Sequence, residues 1–342
     1  MKTKILVVLI ILIVLGVGGF FVYKNMTGLK VEEGIVPAPA TQVRVYKGIW
    51  TPVSLSNNPR KLNADMKKLK DMGMNTIFLP AAPPQVERCL EGQDPNSELV
   101  KKLKKILPIH REIMIANIQA AHRNGLRVGL AMTKCYPAAN DITLEQWDSQ
   151  VIENAKLAEK YHVELFAPMN EPEALFGPSA SADWGQEILP KIKEVYHGIV
   201  IWKGASIGDM QLDSVDFSGY DYLGFSVGIG SVVKTLEEFP QNVDYALDTF
   251  LGLAERDGCK GVMITEFYGR LPYIWEERAW NEEKEARVNE IILEKGKNKV
   301  DGFFALDFLG LSIFGEDIPR MPDPKKSSKT QEVIKRWFTE IL

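Results

Sequence analysis

Three cysteines and four histidines in 342 residues leave little material for metal or thiol chemistry. Cys89, Cys135 and Cys259 are far apart and form no C-x-x-C pair, which excludes a thiolate zinc knuckle and a dense disulfide framework; at most one bridge is possible. His110, His122, His162 and His197 all fall in or at the ends of helical patterns, with no H-E-x-x-H and no aspartate cluster at ligand spacing. Neither a histidine base nor a catalytic metal or other cofactor is expected. An excess of positive charge is also missing. Lys and Arg total 41 against 45 Asp and Glu, a net charge of -4, so the electrostatic footprint of a nucleic-acid partner is absent. What is present is ordinary globular composition, with 45% hydrophobic and 25% charged residues.

The start of the chain is the exception. Residues Ile5 to Val22 form a run of 18 without a charge or strongly polar side chain, long enough to span a bilayer. Lys2 and Lys4 precede it and by the positive-inside rule hold the N-terminus in the cytoplasm, delivering the rest to the far side. A cleaved signal peptide is the competing reading, with Gly16-Val17-Gly18 as its small-x-small site, but the apolar run continues through Phe20, Phe21 and Val22. A lipoprotein anchor is excluded because no cysteine precedes Cys89, and the N-x-T triplet at Asn25 is explained by chance. The organisation expected is an anchor or signal sequence over 1–22, a spacer over 23–44 containing Val36-Pro37-Ala38-Pro39-Ala40, and one folded domain over 45–342. The domain is then membrane-anchored and extracytoplasmic, or secreted if the leader is removed.

Eight short apolar, β-rich runs recur along the body at intervals of roughly 25 to 50 residues, the spacing of strand, loop and covering helix. They are Gly48 to Thr51, Thr76 to Leu79, Arg127 to Met132, Val163 to Ala167, Ile199 to Lys203, Tyr222 to Val227, Val262 to Thr265 and Gly302 to Leu306. The intervening helices carry their own punctuation. Asn58-Pro59 opens a stripe of Leu62, Met66 and Leu69 that Gly73 closes; Thr143 with Gln146, and Ser328 with Gln331, make capping boxes; and Gly258 ends the stripe Val243, Leu247, Phe250, Leu251, Ala254. Eight such units predict an α/β fold, the (β/α)8 TIM barrel. An open doubly wound sheet is the rival, without the G-x-G-x-x-G that would follow its first strand, and seven or nine strands remain compatible with the pattern.

In such a barrel the chemistry gathers at the C-terminal ends of the strands. There the fourth run leads into Asn170-Glu171-Pro172-Glu173 and the seventh into Thr265-Glu266-Phe267-Tyr268. A carboxylate emerging from an apolar strand is either ion-paired or functional, since burying it unpaired costs several kcal/mol or raises its pKa. Two carboxyl groups about 5 Å apart on opposite sides of a sugar are the equipment of a retaining glycosidase, one as acid/base and one as nucleophile.

These two sites resemble the signatures of the glycoside hydrolase clan A barrels, including families 5, 53 and 113, and the likeness runs from Gly48-Ile49-Trp50 to Phe303-Phe304. The resemblance implies a retaining hydrolase of β-linked poly- or oligosaccharide, of β-mannan, β-glucan or β-galactan type. By the same likeness Glu171 is the acid/base, Glu266 the nucleophile and Asn170 the partner of the sugar 2-hydroxyl. The chain departs from the pattern in three places. Phe78-Leu79-Pro80-Ala81-Ala82 lacks the arginine that often steadies the nucleophile, for which Lys134 or Lys203 would have to substitute. Ser226-Val227-Gly228 lacks the usual aromatic, so Tyr268 would have to reach in, and Asp307-Phe308 stands where a tryptophan is common. Asp307 either contacts substrate or pairs with Lys203 or Lys134.

Aromatic rings floor sugar subsites, and Trp50, Tyr273, Trp275, Trp280, Phe176 and Trp184 are available, Trp275 being the preferred platform; each ring has packing beneath a loop as its alternative. Glu164 falls on the opposite, stability-bearing face and Asp221 reads as a turn residue. Two other readings stay open: a catalytically inactive cell-surface barrel that only binds carbohydrate, and a lyase or aldolase with Lys203 as Schiff-base former.

Overall fold

The computed structural model describes residues 36, 43–50, 59–82, 109–133, 142–205, 215–228, 236–268, 282–306 and 328–342. Apart from Val36, Val43 and Arg44, the expected anchor and spacer lie outside them. No helix among the described residues is long and apolar enough to cross a membrane.

Eight parallel strands close on themselves in chain order: β1 (Tyr46–Trp50), β2 (Thr76–Ala81), β3 (Arg127–Met132), β4 (Leu165–Ala167), β5 (Ile199–Lys203), β6 (Tyr222–Gly228), β7 (Gly261–Tyr268) and β8 (Gly302–Leu306). The seam is a five-residue register from Tyr46↔Gly302 to Trp50↔Leu306, which removes both sheet edges. This closure overturns the open-sheet alternative. Around the strands run α1 (Pro59–Asp71), α2 (His110–Arg123), α3 (Leu144–Lys160), the short α4 (Glu173–Phe176), α5 (Pro178–Lys193), α6 (Phe239–Asp257), α7 (Glu282–Gly296) and α8 (Ser328–Arg336), which runs into a π-helical turn at Trp337–Ile341.

Side chains alternate across each strand and so fill two separate cores. Inside the barrel Trp50, Phe78, Ala131, Leu165, Ala167, Ile201, Met263 and Phe304 pack on one another. Outside, Ile49, Ile77, Leu79, Val128, Leu130, Val200 and Ile264 meet the helices. Burial on both faces is why these strands read as unbroken apolar runs. Each large side chain so covered contributes roughly 1.5–3 kcal/mol of transfer free energy. The interior has no space to spare: a Cβ on Gly129 would lie 2.6 Å from the ring of Phe78, which packs edge-on against Phe304 at 4.9 Å.

The helix ends follow the expected chemistry in most places. Thr143 and Gln146 form a reciprocal capping box before α3, and Gly258, at φ 71°, closes α6 in the left-handed conformation. The last helix differs: it begins at Ser328 itself, so this serine is its first residue and not the cap outside it.

A repeating device pins the N-terminal end of the barrel. The residue just before each even-numbered strand accepts a hydrogen bond from the backbone N–H of the second residue of the preceding odd-numbered strand. Asn75 takes Lys47 at 2.9 Å, Glu164 takes Val128 at 2.9 Å, Asp221 takes Val200 at 2.8 Å and Asp301 takes Val262 at 3.2 Å. Glu164 also meets His122 Nε2 at 3.2 Å, and Asp221 pairs with Lys260 at 2.7 Å. Both acids therefore serve the stability face, and Asp221 is a strand tie in addition to its place at a bend.

Candidate active site

At the opposite end, four consecutive strands, β4 to β7, bring polar side chains together: Glu171, Lys203, Ser226 and Glu266. Beyond β4 the backbone is held on both sides: Asn170 N–H donates to Met132 O and Glu171 N–H to Lys203 O, each at 2.8 Å, and Asn170 bridges to Lys203 as an outlying parallel pair. Glu171 has φ 49°, left-handed for a non-glycine residue, and precedes a proline that further restricts it. Such strain costs of order 1–3 kcal/mol and persists where the surroundings over-determine it. Here the two flanking backbone bonds do so, together with the Ser226 hydroxyl, which donates to Glu171 Oε1 at 2.8 Å.

Glu266 reaches the mouth by a different route. The seventh strand does not stop at Thr265, as its apolar run suggests, but continues to Tyr268. Its register to β6 shifts from Phe225↔Ile264 to Ser226↔Glu266, and its register to β8 shifts over the same residues, which leaves Thr265 as an extra residue. In an unbroken strand Glu266 would share the outer face of Ile264. The bulge turns it inward instead, to within 3.3 Å of Lys203 Nζ, and Thr265 Oγ1 ties the kink by donating to Phe225 O at 3.2 Å. Ser226 is thus in register with Glu266 on one side and bonded to Glu171 on the other.

Lys203 ends β5, two residues after Ile201 and hence on the inner face. Its side chain is 0% exposed; Nζ bonds to Asn170 Oδ1 and Glu266 Oε2 and sits 4.6 Å from the ring centroid of Trp50. The Schiff-base alternative would need this nitrogen free. Trp50 is 1% exposed, edge-on to Phe78 at 6.2 Å, and presents its ring to Lys203 Nζ. The Tyr268 ring lies against Gly228, where a Cβ would come within 2.2 Å.

Two participants were not singled out from the sequence. Ser226 is one, the lone aliphatic hydroxyl in the run YLGFSVG of β6. Glu173 is the other, two residues after Glu171 and 6% exposed; it accepts Trp202 Nε1 at 2.9 Å and Ala205 N–H at 3.2 Å. Burial pushes its carboxyl pKa up, and the neighbouring Glu171 charge adds to that. The doubled acid of N-E-P-E was its signal.

Phe176 and Trp184 do not line the mouth. Trp184 belongs to α5, is 3% exposed and donates to Asp148 Oδ1 at 2.8 Å; Phe176 packs between it and Trp147 at 5.4 and 6.3 Å. The expected substrate contacts Lys134, Trp275 and Asp307, with Tyr273 and Trp280, lie outside the described residues. Among the described residues no group of three or more His, Cys, Asp or Glu side chains could hold a metal ion.

No family model matches the chain, and no curated protein matches it in sequence. Solved structures do match in fold. A GH113 β-1,4-mannanase superposes with TM-score 0.62 at 16% identity over 87% of this chain and 100% of that one. The GH113 β-mannanase AaManA of Alicyclobacillus acidocaldarius gives 0.57 at 15% over 88% and 99%. An endocellulase of Pyrococcus horikoshii gives 0.55 at 16% over 86% and 93%. Family 113 is among those whose motifs the sequence resembles, and what the chain shares with these enzymes at such identities is the (β/α)8 barrel.

Proposed function

We propose that this chain is a retaining glycoside hydrolase acting on a β-linked polysaccharide, with Glu171 as acid/base and Glu266 as nucleophile. The observation that supports the reading is that β4 and β7 bring the two glutamates to one cluster: Ser226 donates to the Glu171 carboxylate and is in backbone register with Glu266, whose carboxylate lies 3.3 Å from Lys203 Nζ. In the first step a Glu266 oxygen bonds to the anomeric carbon, the bond to the leaving oxygen breaks, and that oxygen takes the proton of Glu171. In the second, water attacks the same carbon and gives its proton to Glu171, while the glycosyl–Glu266 bond breaks and returns the carboxylate. Asn170, beside Glu171, is the residue to which this reading assigns the sugar 2-hydroxyl. The activities of the fold neighbours make β-1,4-mannan the first substrate to try, with β-glucan next. The apolar run 5–22 behind Lys2 and Lys4 supports an enzyme tethered outside the membrane.

Glu266→Gln should abolish turnover while leaving the unfolding transition in place, and Glu266→Ala should be rescued by azide with formation of a glycosyl azide. A Glu266→Gln variant retaining more than a few per cent of activity would remove the assignment. Binding of mannan without cleavage of any activated β-glycoside would favour a barrel that only recognises carbohydrate.

A further inference from the structure

We infer that Lys203 is a positioning residue that gathers the polar groups of this site around one buried charge and drives the second half of the reaction; this rests on the double-displacement reading above. An ammonium donates and accepts nothing. Lys203 spends its donors on Asn170 Oδ1 and, at 3.3 Å, on Glu266 Oε2, and turns another side to the Trp50 ring at 4.6 Å. Its own carbonyl takes the Glu171 N–H at 2.8 Å. One residue, 0% exposed, therefore touches Asn170, Glu171 and Glu266 together.

Two consequences follow from charge and donor chemistry. The amide of Asn170 has to turn its oxygen to Lys203, which leaves its NH2 as the group for substrate, so the hydroxyl it meets must accept. The second concerns the covalent intermediate. In the resting enzyme the ammonium and the Glu266 carboxylate compensate each other. Once Glu266 is esterified to the anomeric carbon its charge is gone; the negative charge of the site has moved to Glu171, which has given its proton to the leaving oxygen, and Lys203 has lost the carboxylate 3.3 Å from its Nζ. When water's oxygen bonds to that carbon and the ester electron pair returns to Glu266, with water's proton going to Glu171, the ion pair is restored. Lys203 thus raises the glycosyl-enzyme relative to the free enzyme and speeds its hydrolysis.

The test uses the full chain with 2,4-dinitrophenyl β-mannobioside and β-cellobioside, followed by stopped flow, on the wild type, Lys203→Met and Lys203→Arg. Lys203→Gln keeps a donor without the charge and replaces Lys203→Met should that variant not fold. The uncharged variants should lose about a hundredfold or more in kcat. They should release a stoichiometric burst of dinitrophenolate as the intermediate accumulates. Their acid limb of kcat/KM should move at least about one pH unit upward, because the nucleophile has lost its counter-charge. Arginine should return the limb to its wild-type position. A purely structural lysine would lower activity without moving the limb or producing a burst, and that result would overturn the inference alone. No dinitrophenolate release by the wild type on either glycoside would overturn the glycosidase reading and this inference with it.

Discussion

Gly185 and Gly252 both sit inside helices, α5 and α6, at ordinary helical backbone angles, and differ in what a side chain would meet. Replacing a mid-helix glycine with alanine gains about 1 kcal/mol from backbone entropy alone. At Gly252 nothing lies within 4 Å of the new Cβ, so the whole gain should appear as stability. At Gly185 the Cβ would stand 2.4 and 3.0 Å from two ring atoms of Trp202 and 3.2 Å from the Tyr220 hydroxyl. Trp202 has no retreat: it is 2% exposed, its Nε1 is bonded to Glu173 at 2.9 Å, and its ring is packed on Phe217 and Tyr220 at 5.6 and 5.5 Å. Overpacking of this kind costs about 1–3 kcal/mol, and with the tryptophan held on three sides the upper half of that range applies. Gly185→Ala should therefore lose a net 1–2 kcal/mol, roughly, against the helix-propensity gain. Thermal unfolding reads this as a fall in Tm of about 2–4 °C per kcal/mol for a domain of this size, against a rise for Gly252→Ala. A rise in both variants would refute the claim that Trp202 is fixed, and with it the account of how Glu173 is held beside Glu171.

Two further outcomes can be checked by denaturant titration. Burial lowers the His110 pKa from 6.5 to about 4, so its neutral form stabilises the fold fully above pH 6.5, and stability falls as the pH drops from 6.5 to 4. Wild type minus His110→Leu should fall by on the order of 3 kcal/mol across that window; a flat difference would mean His110 is not held neutral by burial. Thr143→Ala removes the reciprocal cap of α3 and should cost about 1 kcal/mol; an unchanged urea midpoint would show that the helix end does not depend on it.

The barrel was legible because strands buried on both faces write themselves as apolar blocks, and because Pro59, Thr143 and Gly258 mark helix ends by local chemistry. The identities of Glu171 and Glu266 were legible for the same reason: each breaks an apolar block. How Glu266 gets inside was not. A bulge is a property of the register between three strands, and neither the alternation within β7 nor its residues alone encode the slip at Thr265. Ser226 and Glu173 escaped notice because a single hydroxyl or acid has meaning only once the fold names its partner. Trp184 is the opposite case: as one of the aromatics following the acid motif it is a candidate ring for a sugar subsite, whereas helix α5 begins at Pro178 and turns it toward Asp148.

The fourfold tie at the barrel floor, through Asn75, Glu164, Asp221 and Asp301, divides the molecule into two territories. Each clasp joins an odd strand to its even successor without drawing on any atom near Glu171 or Glu266, so the wall is laid down in pairs from beneath. The rim is then free to exchange its residues while the foundation stays in place. Such independence accounts for a barrel shared with a GH113 β-1,4-mannanase at only 16% identity.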